Sequence, residues 1–285
     1  MSVKTKSAKT NRQYKSSIFA NLFGEKDKML ELYNAIHGTN YAEDTPIRIT
    51  TLENVLFNGI RNDVSFMIED RVVVLVEHQS TINPNMPLRM LQYMVGVYMS
   101  IIDNKDMYKE LKMTIPRPEF IVLYNGKDYY PDRQSLKLSD MFVKENENYP
   151  LSLELYVEVY NINKGHNPQF AERSETLNGY EIFVAAVNEN PKSGMSRDKA
   201  IGKAISDCID KNILREYLKQ KGAEVMNMML GEWKMKDALK VREEEGILIG
   251  MRITARNMLA EGMDVDTVAR MTGLFVDDIL RLQSE

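Results

Sequence analysis

Apolar residues fall at helical spacing between Ser17 and His37, at Ile18, Phe19, Leu22, Phe23, Met29, Leu30, Leu32, Tyr33 and Ile36, with a break near Gly24. The period then changes. IRITTLENVLF (47–57) is rich in β-formers and reads as a strand. NDVSFMI and VVVLVEHQ follow, joined by the short polar turn Glu69-Asp70-Arg71, which makes a hairpin. Asn83 to Asp103 opens with two prolines and continues as a helix, with Leu88, Leu91, Val95, Met99 and Ile102 expected on one buried stripe. EFIVLYN (119–125) reads as a fourth strand ending at the turn pair Asn125-Gly126. LSLELYVEVYNIN (151–163) alternates over Leu153, Leu155, Val157 and Val159 and reads as a fifth. After Asn167-Pro168 the pattern is helical to the C-terminus, apart from NENPKSGMS (188–196).

The order α-β-β-β-α-β-β followed by helices defines an α/β core with an all-helical C-terminal extension. Three regions are expected: a basic flexible arm over 1–16, a core over 17–195, and a helical region over 196–285. Lys4, Lys6, Lys9, Arg12 and Lys15 give the arm its charge, and no acidic residue precedes Glu25. Such an arm serves as a solubilising tail or a nonspecific phosphate contact.

Composition narrows the setting. The chain has 285 residues, 44% hydrophobic and 27% charged, with a net charge of -4, so the bulk of its surface offers polyanions no attraction. No apolar run reaches membrane-spanning length and the N-terminus lacks a secretory pattern, so a cytoplasmic protein with no membrane partner is expected. The single cysteine, Cys208, sits in a helical pattern and reads as a small buried residue.

The hairpin carries the candidate chemistry. If Asp70 centres its turn, Ile68 faces Val72, and stepping outward sets Asp63 opposite Glu77. Directly opposed residues have Cβ atoms about 4.5–5.5 Å apart. Gln79 projects from the same face as Glu77, while Val72, Val74 and Val76 take the other. Two carboxylates so close repel unless one keeps a proton or a cation joins them. Mg²⁺ takes hard oxygen ligands and keeps several waters, and Asp63, Glu77 and the main-chain carbonyl of His78 are candidates to supply three of them. The same spacing also suits an Asp, Glu and Gln at the solvated open end of a hairpin.

The layout ND-x(13)-E-x-Q, here Asn62-Asp63 and Glu77-His78-Gln79, resembles the active site of the PD-(D/E)XK nuclease superfamily. More narrowly, EHQSTINPNMPLRMLQYMVGVY resembles the recombination-promoting nuclease (Rpn) and transposase-like branch, with its glutamate-x-glutamine strand followed by an Arg-x-x-x-Tyr helix. The resemblance extends to YKSSIFANLFGEKDKMLELYNAI, LYVEVYNIN, EEEGILIG and the closing ARNMLAEGMDVDTVARMTGLFVDDILRL. It implies a restriction-endonuclease-like mixed sheet flanked by helices, Mg²⁺-dependent (or Mn²⁺-dependent) DNA cleavage, and a role in recombination or transposition. Asp63, Glu77 and Gln79 then become the catalytic set, with Asp63, Glu77 and the His78 carbonyl on the metal. Gln79 stands where the superfamily usually has lysine. Arg89, with Tyr93 four residues on, is the candidate phosphate clamp and replacement cation. The alternative is a catalytically weak nuclease-fold module that binds nucleic acid or protein.

Other residues have ordinary readings. The His78 side chain should face away from Glu77 and pack against a helix, and His37 and His166 have no zinc-like partners. Met86, Met90 and Met94 read as core packing, and Glu31 as a solvated helix face. AEGMDVDTVARMTGLFVDDILRL looks like a helix-turn-helix, capped by Asp264 or Asp266 and turned at Gly273. Asp277 and Asp278 against one Arg281 make it read as a packing or protein-interaction element rather than a base reader. Gly246 and Gly250 leave a homodimer contact open.

Overall fold

The computed structural model describes residues 18–51, 63–103, 105–143, 150–189 and 194–284, apart from the side chains of 232–241, 245, 283 and 284. The basic arm, Asn62 and the rest of the strand expected through residue 57 lie outside the described residues.

The described residues open with α1 (Ile18–Leu22) and α2 (Lys26–His37), separated where the helical spacing breaks at Gly24. Gly38 ends α2 at φ 68°, and a Cβ there would collide with the Arg173 guanidinium. Three strands follow, β1 (Ile47–Ile49), β2 (Val64–Ile68) and β3 (Val72–Gln79). Glu69 and Asp70 both take positive φ in the turn, and Arg71 N–H returns to the Ile68 carbonyl at 2.9 Å. The register runs from Ile68 opposite Val72 to Val64 opposite Val76, as the turn arithmetic requires.

Next come α3 (Met86–Ile101), β4 (Arg117–Tyr124), β5 (Arg133–Lys137) and β6 (Tyr156–Asn161). The sheet order is β1-β2-β3-β4-β6-β5, with β3, β4 and β6 parallel and the outer pairs antiparallel. The sequence pattern misses β5. RQSLK has one apolar residue and is an exposed edge, so it shows no alternation to read. The strand expected from Leu151 begins only at Tyr156, and Leu151 and Leu153 are exposed.

Side chains of β3 at Val73 and Leu75 pack with Phe120, Val122, Val157 and Val159 beneath α3. The face α3 buries is Met86, Met90, Tyr93, Met94 and Val97, the three methionines as expected of core packing, whereas Leu88, Val95 and Met99 of the expected stripe are about half exposed. On the other face of the sheet Phe66 meets Tyr33 of α2, and His78 stacks on Phe19 of α1 at 5.1 Å.

The helices continue with α4 (Pro168–Arg173), α5 (Glu175–Glu189), α6 (Arg197–Asp210), α7 (Arg215–Ala260), α8 (Val265–Thr272) and α9 (Val276–Ser284). Tyr180 of α5 joins the His78 face, its hydroxyl 2.9 Å from Nε2. Cys208 is buried. The chain forms two compact units, Met1–Met228 and Met229–Glu285. In the second, the end of α7, α8 and α9 enclose Ala255, Val268, Leu274 and Ile279. Asp264 caps α8 by accepting from Thr267 N–H at 2.9 Å, and Gly273 closes it at φ 74°. No helix among the described residues is long and apolar enough to cross a membrane.

Candidate active site

The β2–β3 ladder ends at Val64 and Val76, and the next pair out is Asp63 and Glu77. Here side chains take over from the main chain. The Asp63 N–H donates to Glu77 Oε1 at 3.2 Å, and the His78 N–H donates to Asp63 Oδ2 at 2.9 Å. Each carboxylate thus holds the other strand, which fixes both side chains across the gap where the backbone bonds stop.

Glu77 lies on the α3 face, and its side chain is only 6% exposed. Burial and the neighbouring Asp63 charge push its pKa up to about 8, against the opposing pull of Arg89. Burial also raises Asp63. Burial and like charge thus both favour the protonated form of the pair.

Arg89, one turn into α3, donates from Nη2 to Glu77 Oε2 at 3.0 Å. Its Nε and Nη2 also donate to the Tyr93 hydroxyl, at 3.2 and 2.7 Å, and its guanidinium lies 5.6 Å from the Tyr93 ring centre. The i, i+4 spacing does bring Arg89 and Tyr93 together. The sequence did not show that the same guanidinium closes onto Glu77, because α3's roll over the sheet decides it.

Gln79 shares the α3 face and donates from Nε2 to the Met86 sulfur at 2.7 Å. Arg89 Nη1 reaches the same sulfur at 3.3 Å. Met86, expected only as packing, thus links the two polar residues; its spacing three before Arg89 was the available signal. His78 turns away from the site, as alternation requires. His166 pairs with Asp132 and His37 with Glu119 at 3.3 Å, both away from the acidic pair.

Glu31 is neither in the site nor on a solvated face. It accepts from Ser174 Oγ at 2.7 Å, Thr176 N–H at 2.9 Å and Thr176 Oγ1 at 2.8 Å, holding the first turn of α5. The carboxylate takes one orphan N–H of that helix start, Thr176, and Ser174 Oγ takes the next, Leu177 N–H, an arrangement no local pattern reveals across 143 residues.

The donor set suits a hard divalent cation. Asp63 and Glu77 offer oxygen only, and among the described residues no group of three or more His, Cys, Asp or Glu gathers as a closed cage. Two carboxylates leave most of a Mg²⁺ shell to water and substrate, which that ion favours. The Arg89 guanidinium already stands in as a positive charge on Glu77.

A mixed six-stranded sheet with flanking helices, a helical C-terminal region and paired carboxylates at the carboxyl end of a central strand define the class. Residues 63–167 match the family model described as "Putative transposase, YhgA-like", which begins at Asp63. Residues 251–284 match the "Rpn/YhgA-like nuclease family, C-terminal HTH domain". Both descriptions carry the label YhgA-like, so over these two stretches the chain is similar to the Rpn/YhgA-like nucleases. The second match gives the C-terminal helices a helix-turn-helix description, beside which the acidic start of α9 at Asp277 and Asp278 stands out. No curated protein and no solved structure matches the chain.

Proposed function

We propose that the protein is a Mg²⁺- or Mn²⁺-dependent DNA endonuclease of PD-(D/E)XK type, hydrolysing phosphodiester bonds in DNA recombination or transposition. The observation that carries the reading is the buried, cross-bonded pair Asp63 and Glu77 at the end of β3. The family's nuclease name and its helix-turn-helix module support DNA as the partner.

Asp63 and Glu77 would hold the cation, with the His78 carbonyl a third oxygen. When bound, the ion would polarise a phosphoryl oxygen and acidify a water. Gln79 would orient the attacking water through its amide, which lies beside the pair but brings no charge. Arg89 would leave Glu77 for a phosphate oxygen, since a guanidinium released from one carboxylate pairs equally well with a planar phosphate edge. Tyr93 would keep that guanidinium in place through the hydroxyl it already shares.

A second reading, a nuclease-fold binding module with little catalysis, is favoured by one observation: the charge beside Glu77 comes from Arg89, and Gln79 is uncharged. Nicking of supercoiled plasmid by the purified chain in Mg²⁺ or Mn²⁺ separates the two. The endonuclease reading expects nicking that Asp63→Ala abolishes. Binding of plasmid without metal-dependent nicking supports the module.

A further inference from the structure

The three parallel strands send their carboxyl ends to the same edge of the sheet as Glu77 and Gln79, where ligands of such sheets collect. The segment after β4, residues 125–132, leaves from beside the site: Asn125 N–H donates to the Gln79 carbonyl at 2.9 Å. Gly126 passes so close to Ser80 that a Cβ would come within 2.5 Å of its carbonyl oxygen. The segment then folds over the α3 face, where Tyr130 packs on Tyr124 at 4.9 Å, and both line a small hollow with Gln79 and Met86.

Every second carbonyl of this segment is held from inside. Gly126 O accepts from Asn163 Nδ2 at 3.0 Å, and Asp128 O from the Tyr124 hydroxyl at 2.9 Å. Tyr130 O accepts from Asn161 Nδ2 at 2.8 Å, and Asp132 O from Asn167 Nδ2 at 2.6 Å. Asn161 and Asn167 are themselves buried. Tyr130 alone of the segment turns inward; Lys127 and Asp128 are exposed and Tyr129 is 88% exposed. Lys164, also exposed, follows Asn163 on the adjoining loop. An aromatic ring held in water by a backbone braced at alternate carbonyls costs little to order when something stacks on it.

We infer that Tyr129, with Lys127 two residues before it and Lys164 on the loop whose Asn163 holds Gly126, is a stacking platform for an unpaired base of a DNA strand whose backbone reaches the acidic pair. The inference rests on the endonuclease reading for the identity of the substrate. A base has a π-face for the tyrosine ring, and the adjoining phosphates suit the lysines. The exposed Asp128 between them disfavours a duplex backbone lying across the loop, and favours a base edge that presents N–H groups.

The test uses the full chain in chelator, with single-stranded and fully paired oligonucleotides carrying 2-aminopurine, read by anisotropy and by quenching of that base. The wild type should prefer the single strand and quench its probe. Tyr129→Ala should weaken single-strand binding about tenfold, within the range for one stacked base, and abolish the quenching. Tyr129→Phe should retain both. Lys127→Ala should lower the salt dependence by roughly 0.7 of a unit slope, the share of one phosphate on a single strand. Unchanged quenching and strand preference in Tyr129→Ala, or no oligonucleotide binding by the wild type, overturns the platform. A platform that passes while Asp63-dependent nicking is absent leaves this inference standing and removes the endonuclease reading.

Discussion

Glu77 sets the behaviour of the site before any substrate arrives. Its ordinary pKa of 4.5 is pushed to about 8 by burial and by Asp63, so between those values the folded chain holds a proton that the unfolded chain has released. Stability of the cation-free protein therefore falls as pH rises through that window. Urea midpoints in chelator at pH 5 to 8 should decline, and Asp63→Asn should flatten the decline by removing the like charge. Arg89→Ala makes a companion test. It strips the counter-charge from a carboxylate that is 6% exposed, while the guanidinium is itself 36% exposed. The expected loss is about 1–3 kcal/mol, below that of a fully buried pair, largest above pH 8 where Glu77 is ionised. Added Mg²⁺ should restore part of it. The same variant should lose nicking, so stability and activity part company in the metal-bound protein.

Individual elements differ in how far the sequence discloses them. The hairpin was legible because a two-sided apolar strand, a polar turn and a period of two leave one register, and that register sets Asp63 across from Glu77. The edge strand β5 was not legible, since Arg133, Gln134, Ser135 and Lys137 carry no burial signal. Helix α3 was legible as a helix but not in its orientation. It has apolar residues on both flanks, and only contact with the sheet selects Met86, Met90 and Val97 over Leu88, Val95 and Met99. That rotation also aims Arg89 at Glu77. Helix α5 depends on a residue far away in sequence, Glu31, for its first turn. Glu31→Ala should cost about 1–2 kcal/mol in chemical denaturation, the usual range for a lost cap, and leave nicking of the folded fraction intact. Loss of activity at unchanged stability would instead give Glu31 a role at the acidic site.

At the scale of the molecule, the acidic pair and its neighbours sit where antiparallel and parallel halves of one sheet meet, and β3 belongs to both. The sheet's other boundary, β5, has a different consequence. Among the described residues no strand pairs with its outer side, which suits a strand of matching length, including its own counterpart in another copy. Antiparallel self-pairing centred on Ser135 would set Arg133 against Lys137 twice over. Like charges directly opposed weaken a pair of strands, and cationic edges discourage further addition. Glu158 answers Arg133 at 2.7 Å, so Lys137 carries the larger part of this repulsion. Replacing both with threonine should leave the fold in place and raise light scattering with concentration, whereas the wild type stays clear. On this account the strand that no hydrophobic pattern announced would help to keep copies of the sheet from growing into each other in a crowded solution.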